Sequence, residues 1–191
     1  MSREIGGTAG GPTAEPTLAA EKVAQAVDVL EELGVDCWLT FVRETTESGD
    51  PVLPLILGQE LTWPSALIVT RRGLGGDRIA IVGRHEDDSV ARSGAWPEIV
   101  AYVEGVSGPL RTVLDRLDPT SIAVNTSTSD VKADGLTHGM WELLHRYLAG
   151  TPFAERLTSA ERVIAAVRGR KTPRELERIR GAIAITDEIY R

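Results

Sequence analysis

An almost unbroken apolar run at residues 35–42, VDCWLTFV, constrains the fold more than any other part of the sequence. A strand that is apolar on both sides needs cover on both faces. The run follows directly on a helical pattern at 17–34, where Thr17 is a suitable N-cap and Gly34 suits the left-handed residue that follows many helices. A helix that leads into a buried strand predicts an α/β fold.

The rest of the chain adds strands and helices in an order typical of a mixed sheet. Residues 65–71 and 78–84 are β-rich runs joined by a glycine-rich loop, and we expect them to form a hairpin. The other expected elements are a strand at 99–103, a helix at 109–117, a strand at 121–125, a helix at 136–149, an edge strand at 152–156 and a helix at 159–167. Together they predict an α/β domain with a mixed β-sheet of about five or six strands flanked by helices.

Composition excludes several classes of protein. The net charge is -7, and the 21 Lys and Arg residues are scattered among 28 acidic ones, which argues against a nucleic-acid partner. The single Cys37 excludes an internal disulfide and a cysteine-rich zinc site, so we expect a small buried residue there. No apolar run approaches the ~20 residues that span a bilayer, and the N-terminus has no apolar signal core. We therefore expect a cytoplasmic protein without a membrane partner.

The first 16 residues differ from the rest in composition. They contain four glycines and two prolines, and they have little apolar surface whose burial could offset the conformational entropy lost on ordering. The glycines do not follow a strand, as a phosphate-binding loop would require. We expect residues 1–16 to form a flexible tail.

The least regular stretch, residues 43–64, supplies the candidate site residues. Loops of this length are uncommon in compact domains unless they have a function. Arg43, Asp50 and Trp63 place charges and an aromatic ring on this loop, and we predict a substrate-entry or subunit-contact surface there. A surface loop with its own local pairing is the alternative.

The sequence offers no constellation that suffices for catalysis or for binding a metal. Residues 85–88, HEDD, are adjacent in sequence, and adjacent side chains rarely converge on one ion, so we expect a solvated turn at the start of a helix. His138 and His145 lie seven residues apart on a predicted helix, which separates them by roughly 10 Å. We assign no catalytic residue, metal ligand or cofactor to this chain.

The C-terminal segment has the clearest helix signals. Thr172 is a suitable N-cap, Pro173 suits the first helical position, and Glu175 can complete a capping box. An apolar stripe with steps of three and four residues follows, formed by Leu176, Ile179, Ala182, Ile183 and Thr186. The pattern continues to the last residue without a helix-ending signal. We therefore expect a truncated linker helix at 171–191 that leads to a domain absent from this chain.

The same segment resembles a known family. Arg168, Lys171, Thr172, Glu175, Ile179, Ala182 and Thr186 are similar to the linker of the creatinase/prolidase family, which includes the Xaa-Pro aminopeptidases. The resemblance extends back to about Thr17 and implies an N-terminal α/β domain at 17–170, followed by a catalytic pita-bread domain. The short Asn and Tyr-Leu-Thr-Gly motif that follows the first strand in commoner prolidases is missing here.

The resemblance also implies a function for the intact protein. The implied catalytic domain would hold two divalent metal ions (Mn, Co or Zn) on two Asp, one His and two Glu, and would hydrolyse Xaa-Pro bonds in a peptide substrate. The N-terminal domain of such a homodimer helps the subunits to associate and walls off the partner's active site. Creatinase, a metal-free member that acts on an amidine, shows that family membership does not fix the chemistry.

A self-sufficient small-molecule-binding or dimerisation module without enzymatic activity is the alternative. Its ligand would meet the polar loop at 126–130, TSTSD, which follows a predicted strand; an ordinary hydroxyl-rich turn is the other interpretation of that loop. The two functions predict different packing for the last helix. A linker helix would be poorly packed on its own domain or swapped onto another chain, whereas a native terminus would bury its stripe locally.

Overall fold

The computed structural model describes residues 16–47 and 49–191, and this part of the chain forms one mixed sheet of six strands. The strands are β1 (Cys37–Val42), β2 (Ser65–Thr70), β3 (Arg78–Gly83), β4 (Glu98–Tyr102), β5 (Ile122–Val124) and β6 (Leu157–Ser159). Their order across the sheet is β4-β3-β2-β1-β5-β6. The β1–β2 and β2–β3 pairs are antiparallel, and the other three pairs are parallel. The predicted mixed α/β sheet is therefore confirmed.

Seven α-helices flank the sheet in the described part of the chain. They are α1 (Leu18–Leu33), α2 (Leu53–Ile56), α3 (Asp87–Arg92), α4 (Ser107–Leu117), α5 (His138–Leu148), α6 (Glu161–Gly169) and α7 (Pro173–Ile189). Short 3₁₀ helices occupy Arg72–Leu74 and Pro152–Arg156. The tail expected at 1–16 lies outside the described residues, apart from Pro16.

The core has two layers, one on each face of the sheet. Trp38 and Val42 of β1 pack in the layer that contains apolar residues of α1 and α6. Leu39 and Phe41, on the opposite face of the same strand, pack in the layer that contains α4 and α5. All six residues of β1 are buried, as the apolar run predicts. Burial, with the nearby charge of Asp36, raises the pKa of the Cys37 thiol to about 12, so Cys37 is the small buried residue that was expected.

The local signals at both ends of α1 are confirmed. The Thr17 hydroxyl accepts a hydrogen bond from the Ala20 N–H, and Gly34 has the left-handed conformation at φ 66°. The hairpin is also confirmed, since β2 and β3 pair with Ala66 opposite Ile81. The acidic residues Asp87 and Asp88 form the first turn of α3, where the helix dipole favours negative charge.

One expectation about secondary structure is wrong, and the least regular stretch contains a short helix. Residues 152–156 form a 3₁₀ helix instead of an edge strand, because Pro152 favours the first turn of a helix, and the edge strand is the following segment, β6. The stretch 43–64 is not wholly irregular, because it contains α2. Leu53 and Ile56 of this helix are buried, and this burial stabilises a helix of a single turn.

The first turn of α7 contacts a buried lysine of α1. Lys22 on α1 is fully buried, and its Nζ donates hydrogen bonds to the carbonyl oxygens of Val167 (2.7 Å) and Arg170 (2.6 Å) at the end of α6. The same Nζ lies 2.7 Å from Oε2 of Glu175, which also accepts from the Thr172 N–H and so completes the predicted capping box. The start of α7 is therefore attached to both α1 and α6.

The remainder of α7 is exposed. Within the described chain, the helix buries none of its own residues, and its stripe is open to solvent, with exposed fractions of 41% at Leu176, 43% at Ile179 and 56% at Ile183. The apolar stripe is therefore not packed against the described part of its own domain.

Replacing Lys22 with methionine should lower the free energy of unfolding by about 3 kcal/mol, because it leaves the Glu175 carboxylate and the Val167 carbonyl without their buried cation. Urea denaturation of the purified chain measures the change. Lys132→Met, at an exposed position, is the matched control and should leave stability unchanged. Equal midpoints for the two variants would show that Lys22 does not hold α7 in place.

Candidate functional site

Two loops meet at the carboxyl ends of β1 and β5. These strands are parallel neighbours, with Trp38 opposite Ala123, so the loops 43–64 and 125–137 leave the same edge of the sheet. The Leu136 N–H donates to the Asn125 carbonyl at 2.8 Å, which folds the second loop back over its own strand. In open α/β sheets this edge is where ligands commonly bind.

A buried asparagine joins the two strands to the first loop. Asn125 is 1% exposed, and its Oδ1 accepts a hydrogen bond from the Trp38 indole N–H at 2.7 Å. Its Nδ2 donates to Oδ2 of Asp50 at 2.7 Å and to the Thr40 hydroxyl at 3.2 Å. The donors and the acceptor of the amide are therefore both used, as a buried polar group requires.

Asp50 lies beneath the loop and not on its surface. It is 2% exposed, and its Oδ1 accepts from the Val52 N–H at 2.9 Å. Burial raises the pKa of this carboxyl above its usual value, although hydrogen bonds from Asn125 and the Val52 N–H oppose the shift. The predicted surface charge at this position is thus an internal group, because its partners are buried.

Gly135 allows the two loops to touch. A Cβ atom at this position would lie 2.1 Å from Cγ of Asp50, far inside van der Waals contact. Any larger residue would push the second loop away from the first. The contact between Gly135 and Asp50 therefore sets the separation of the two loops.

A cleft of about 430 Å³ opens beside this contact. Phe41 and Met140 contribute apolar surface, and Arg43 and Glu44 contribute charge. Glu44 has φ 45°, an uncommon conformation for a residue other than glycine. Its N–H donates to the Thr62 carbonyl at 3.0 Å, and this bond ties the turn to the returning end of the loop. Arg43, an exposed residue, is thus the sequence-predicted candidate that lines this cleft.

Trp63 occupies a different environment. The residue is 36% exposed, and its ring packs edge-on against His85, with 5.7 Å between ring centroids. The ring also packs at a tilt of 39° against Tyr102, with 6.0 Å between centroids. It also covers Gly83, where a Cβ atom would lie 2.7 Å from Trp63 Cε3. The three candidates therefore have three different environments: Arg43 at the cleft, Asp50 beneath the loop and Trp63 over β3 and β4.

The hydroxyl-rich loop at 126–130 is held by a helix. Ser127 and Ser129 both donate their hydroxyl hydrogens to Oε2 of Glu161, at 2.6 Å and 3.0 Å. Glu161 is the first residue of α6. The two serine hydroxyls therefore stabilise the contact between the loop after β5 and the first turn of α6. Thr126, in the same loop, lines a second cleft of about 520 Å³ next to Gly135.

Among residues 16–47 and 49–191, no three His, Cys, Asp or Glu side chains are grouped so that they could hold a metal ion. Over the same residues, no helix combines the length and the apolar character needed to cross a membrane. His145 instead packs against Trp141, with 4.3 Å between ring centroids.

Solved structures share this fold. A chain of an Xaa-Pro dipeptidase from Bacillus anthracis matches 83% of this chain with a TM-score of 0.56 and 14% identity, and an X-Pro aminopeptidase from Thermotoga maritima matches 81% with a TM-score of 0.59 and 12% identity. The creatinase/prolidase N-terminal domain of an X-Pro dipeptidase from Streptococcus pyogenes matches 79% with a TM-score of 0.54 and 12% identity. No family model and no curated protein sequence matches the chain.

These matches define the fold. The chain has the fold of the creatinase/prolidase N-terminal domain, which confirms the resemblance seen in the sequence at the level of structure. It spans 38% of the matched dipeptidase and aminopeptidase chains, and it covers 99% of the separately solved Streptococcus pyogenes domain.

Gly135→Ala should destabilise the chain by about 3 kcal/mol, because the added methyl group collides with the Asp50 carboxylate. Gly139→Ala is the matched control: nothing lies within 4 Å of its Cβ position, and alanine in a helix should stabilise by roughly 0.5 kcal/mol. Chemical denaturation of both variants measures the difference. Equal effects would contradict the close approach of the two loops.

The titration of Asp50 should be visible in the pH dependence of stability. A raised folded-state pKa means that the folded chain binds this proton more tightly than the unfolded chain does, so the contribution of Asp50 is largest below its usual pKa of 3.8 and is lost as pH rises through the folded-state pKa. The stability of the wild type relative to Asp50→Asn should therefore fall as the pH is raised. Urea titrations of both proteins from about pH 4 to pH 7 test this, and a difference that grows with pH would contradict it.

Proposed function

We propose that this chain is the non-catalytic N-terminal domain of an Xaa-Pro dipeptidase-like or aminopeptidase-like metallopeptidase. The observation that carries the proposal is the shared fold over nearly the whole length of an N-terminal domain from such an enzyme, with 99% of the separately solved Streptococcus pyogenes domain covered. Helix α7 supports it, because an exposed apolar stripe on a firmly anchored helix fits a connection to a further domain.

The proposed role is subunit association and active-site capping in a homodimer. Arg43 and Trp63 lie at neighbouring ends of β1 and β2, where Val42 pairs with Ser65, so an exposed cation and a partly exposed aromatic ring occupy one end of the sheet. Arginine and aromatic side chains are enriched in the cores of protein interfaces. Asp50 supports this surface from beneath through Asn125.

In the intact protein, a peptide substrate would meet the catalytic domain in the cytoplasm. Two divalent metal ions (Mn, Co or Zn) held there would supply an activated water for hydrolysis of an Xaa-Pro bond. The proposed N-terminal domain itself would bind no metal. Its contribution would be to restrict access to that water and to the substrate.

A self-sufficient binding module is the second candidate, and the cleft at Arg43 favours it. The cleft has apolar walls and two charged residues at the edge of the sheet where small ligands commonly bind. This function would need no further domain.

Sequencing the gene past the codon for Arg191 separates the two candidates. We expect the reading frame to continue into a segment with two Asp, one His and two Glu that could hold a pair of metal ions. An immediate stop codon would favour the independent module. Cleavage of an Xaa-Pro dipeptide by the purified chain with added Mn²⁺ would contradict the non-catalytic assignment.

A further inference from the structure

Two opposite charges lie side by side on the cleft of about 430 Å³. Arg43 and Glu44 both line this cleft, and both are exposed. Among residues 16–47 and 49–191, the Arg43 guanidinium and the Glu44 carboxylate make no hydrogen bond or ion pair, either with each other or with another group. A ligand in the cleft would therefore find one cation and one anion that can each pair with a charge of its own.

The backbone that carries these two charges is held in place. The Glu44 N–H donates to the Thr62 carbonyl at 3.0 Å, and the Thr45 N–H donates to the Leu61 carbonyl at 2.9 Å. These bonds maintain the uncommon conformation of Glu44, and such conformations persist where the surrounding structure fixes them. Because the backbone is already ordered, less entropy is lost when the two side chains bind a ligand.

The floor of the cleft is apolar. Phe41 is 2% exposed and Met140 is 4% exposed, and both belong to the core layer that contains α4 and α5. Pro64 adds apolar surface to the wall. The volume lies near the lower end of the range for ligand pockets, about 300–1,000 Å³. The cleft therefore suits a small ligand with one apolar group that leaves water on binding.

The other charges around the cleft exclude polyanions. The carboxyl groups of Glu86, Asp134 and Asp50 contact or adjoin lining residues, but none of the three is itself a lining residue. Each already accepts a hydrogen bond from a backbone N–H. Three acids behind the lining disfavour a ligand with several negative charges, such as a nucleotide.

The charges on the lining select a ligand that carries both signs. A simple anion would lie beside Glu44, and a simple amine would lie beside Arg43. The two residues are consecutive, with Cα atoms about 3.8 Å apart, so both anchors belong to one end of the cleft. Thr137, the N-cap of α5, also lines the cleft, so the positive end of the helix dipole adds to the attraction of Arg43 for a carboxylate.

We propose that the cleft binds a free α-amino acid with an apolar side chain. Arg43 pairs with its carboxylate, Glu44 pairs with its ammonium group, and Phe41 and Met140 contact its side chain. In an α-amino acid both charges are attached to one carbon, whereas a dipeptide carries them at opposite ends. The proposal rests on the second candidate function, binding of a small molecule in this cleft, and it does not depend on a further domain.

An NMR titration of the ¹⁵N-labelled chain with L-leucine tests the proposal. Leucine should shift the amide signals of Glu44, Gly135 and Thr137 saturably, with a dissociation constant of roughly 1 mM. Isocaproate lacks the ammonium group of leucine, and isoamylamine lacks the carboxylate. Each should bind roughly tenfold more weakly or worse, because each leaves one anchor unpaired.

Two variants assign each charge of the ligand to its anchor. Arg43→Gln should weaken leucine binding roughly tenfold without weakening the binding of isoamylamine, which has no carboxylate to lose. Glu44→Gln should weaken leucine binding similarly without weakening the binding of isocaproate. Arg162→Gln is the matched control, because Arg162 is an exposed arginine of α6 that does not line the cleft, and it should leave leucine binding unchanged.

Several results would overturn the proposal. They are unshifted signals at about 20 mM leucine, twenty times the expected dissociation constant, an analogue that binds as tightly as leucine, or an unchanged leucine affinity in either Arg43→Gln or Glu44→Gln. If isocaproate or isoamylamine shifts the lining signals and leucine does not, the cleft binds a small molecule of a different charge. That result would overturn the amino-acid proposal and leave the second candidate function standing.

Discussion

The burial of β1 on both faces and its pairing on both edges is the constraint on which the rest of the structure depends. Trp38 points into one core layer and Leu39 into the other, so helices are needed on each side of the sheet. β2 covers one edge of the strand and β5 covers the other. The parallel pairing with β5 then brings the loops after both strands to one place, where Asn125 and Asp50 meet.

This constraint is local in sequence, and it made much of the fold predictable. The run at 35–42 shows an apolar strand, and Thr17 and Gly34 mark the ends of the helix before it. Thr172 and Glu175 similarly predict the capping box of α7. The prediction of a strand at 152–156 is wrong because the aromatic and apolar content of this segment fits a strand, while the effect of Pro152 on the first turn of a helix outweighs that content.

The site was less predictable, because its contacts join residues far apart in the chain. Asn125 follows a buried strand, which marks it as a polar residue in need of partners, but nothing nearby identifies Trp38 or Asp50 as those partners. Lys22 lies within a helical pattern, where a lysine is ordinarily solvated, and its backbone carbonyl acceptors are about 150 residues away. Gly135 is one glycine among 19, and only the folded chain shows which atom it makes room for.

The anchoring of α7 at its first turn has a mechanical consequence. A rigid helix of 17 residues fixed at one end is a lever, and a rotation of about 10° at the Lys22 contact would move its far end by roughly 4 Å. Lys22 is a residue of α1 and also binds the end of α6. A load applied to the exposed end of α7 is therefore shared between these two helices, which pack in the same core layer. Whatever binds α7 is therefore connected mechanically to the sheet.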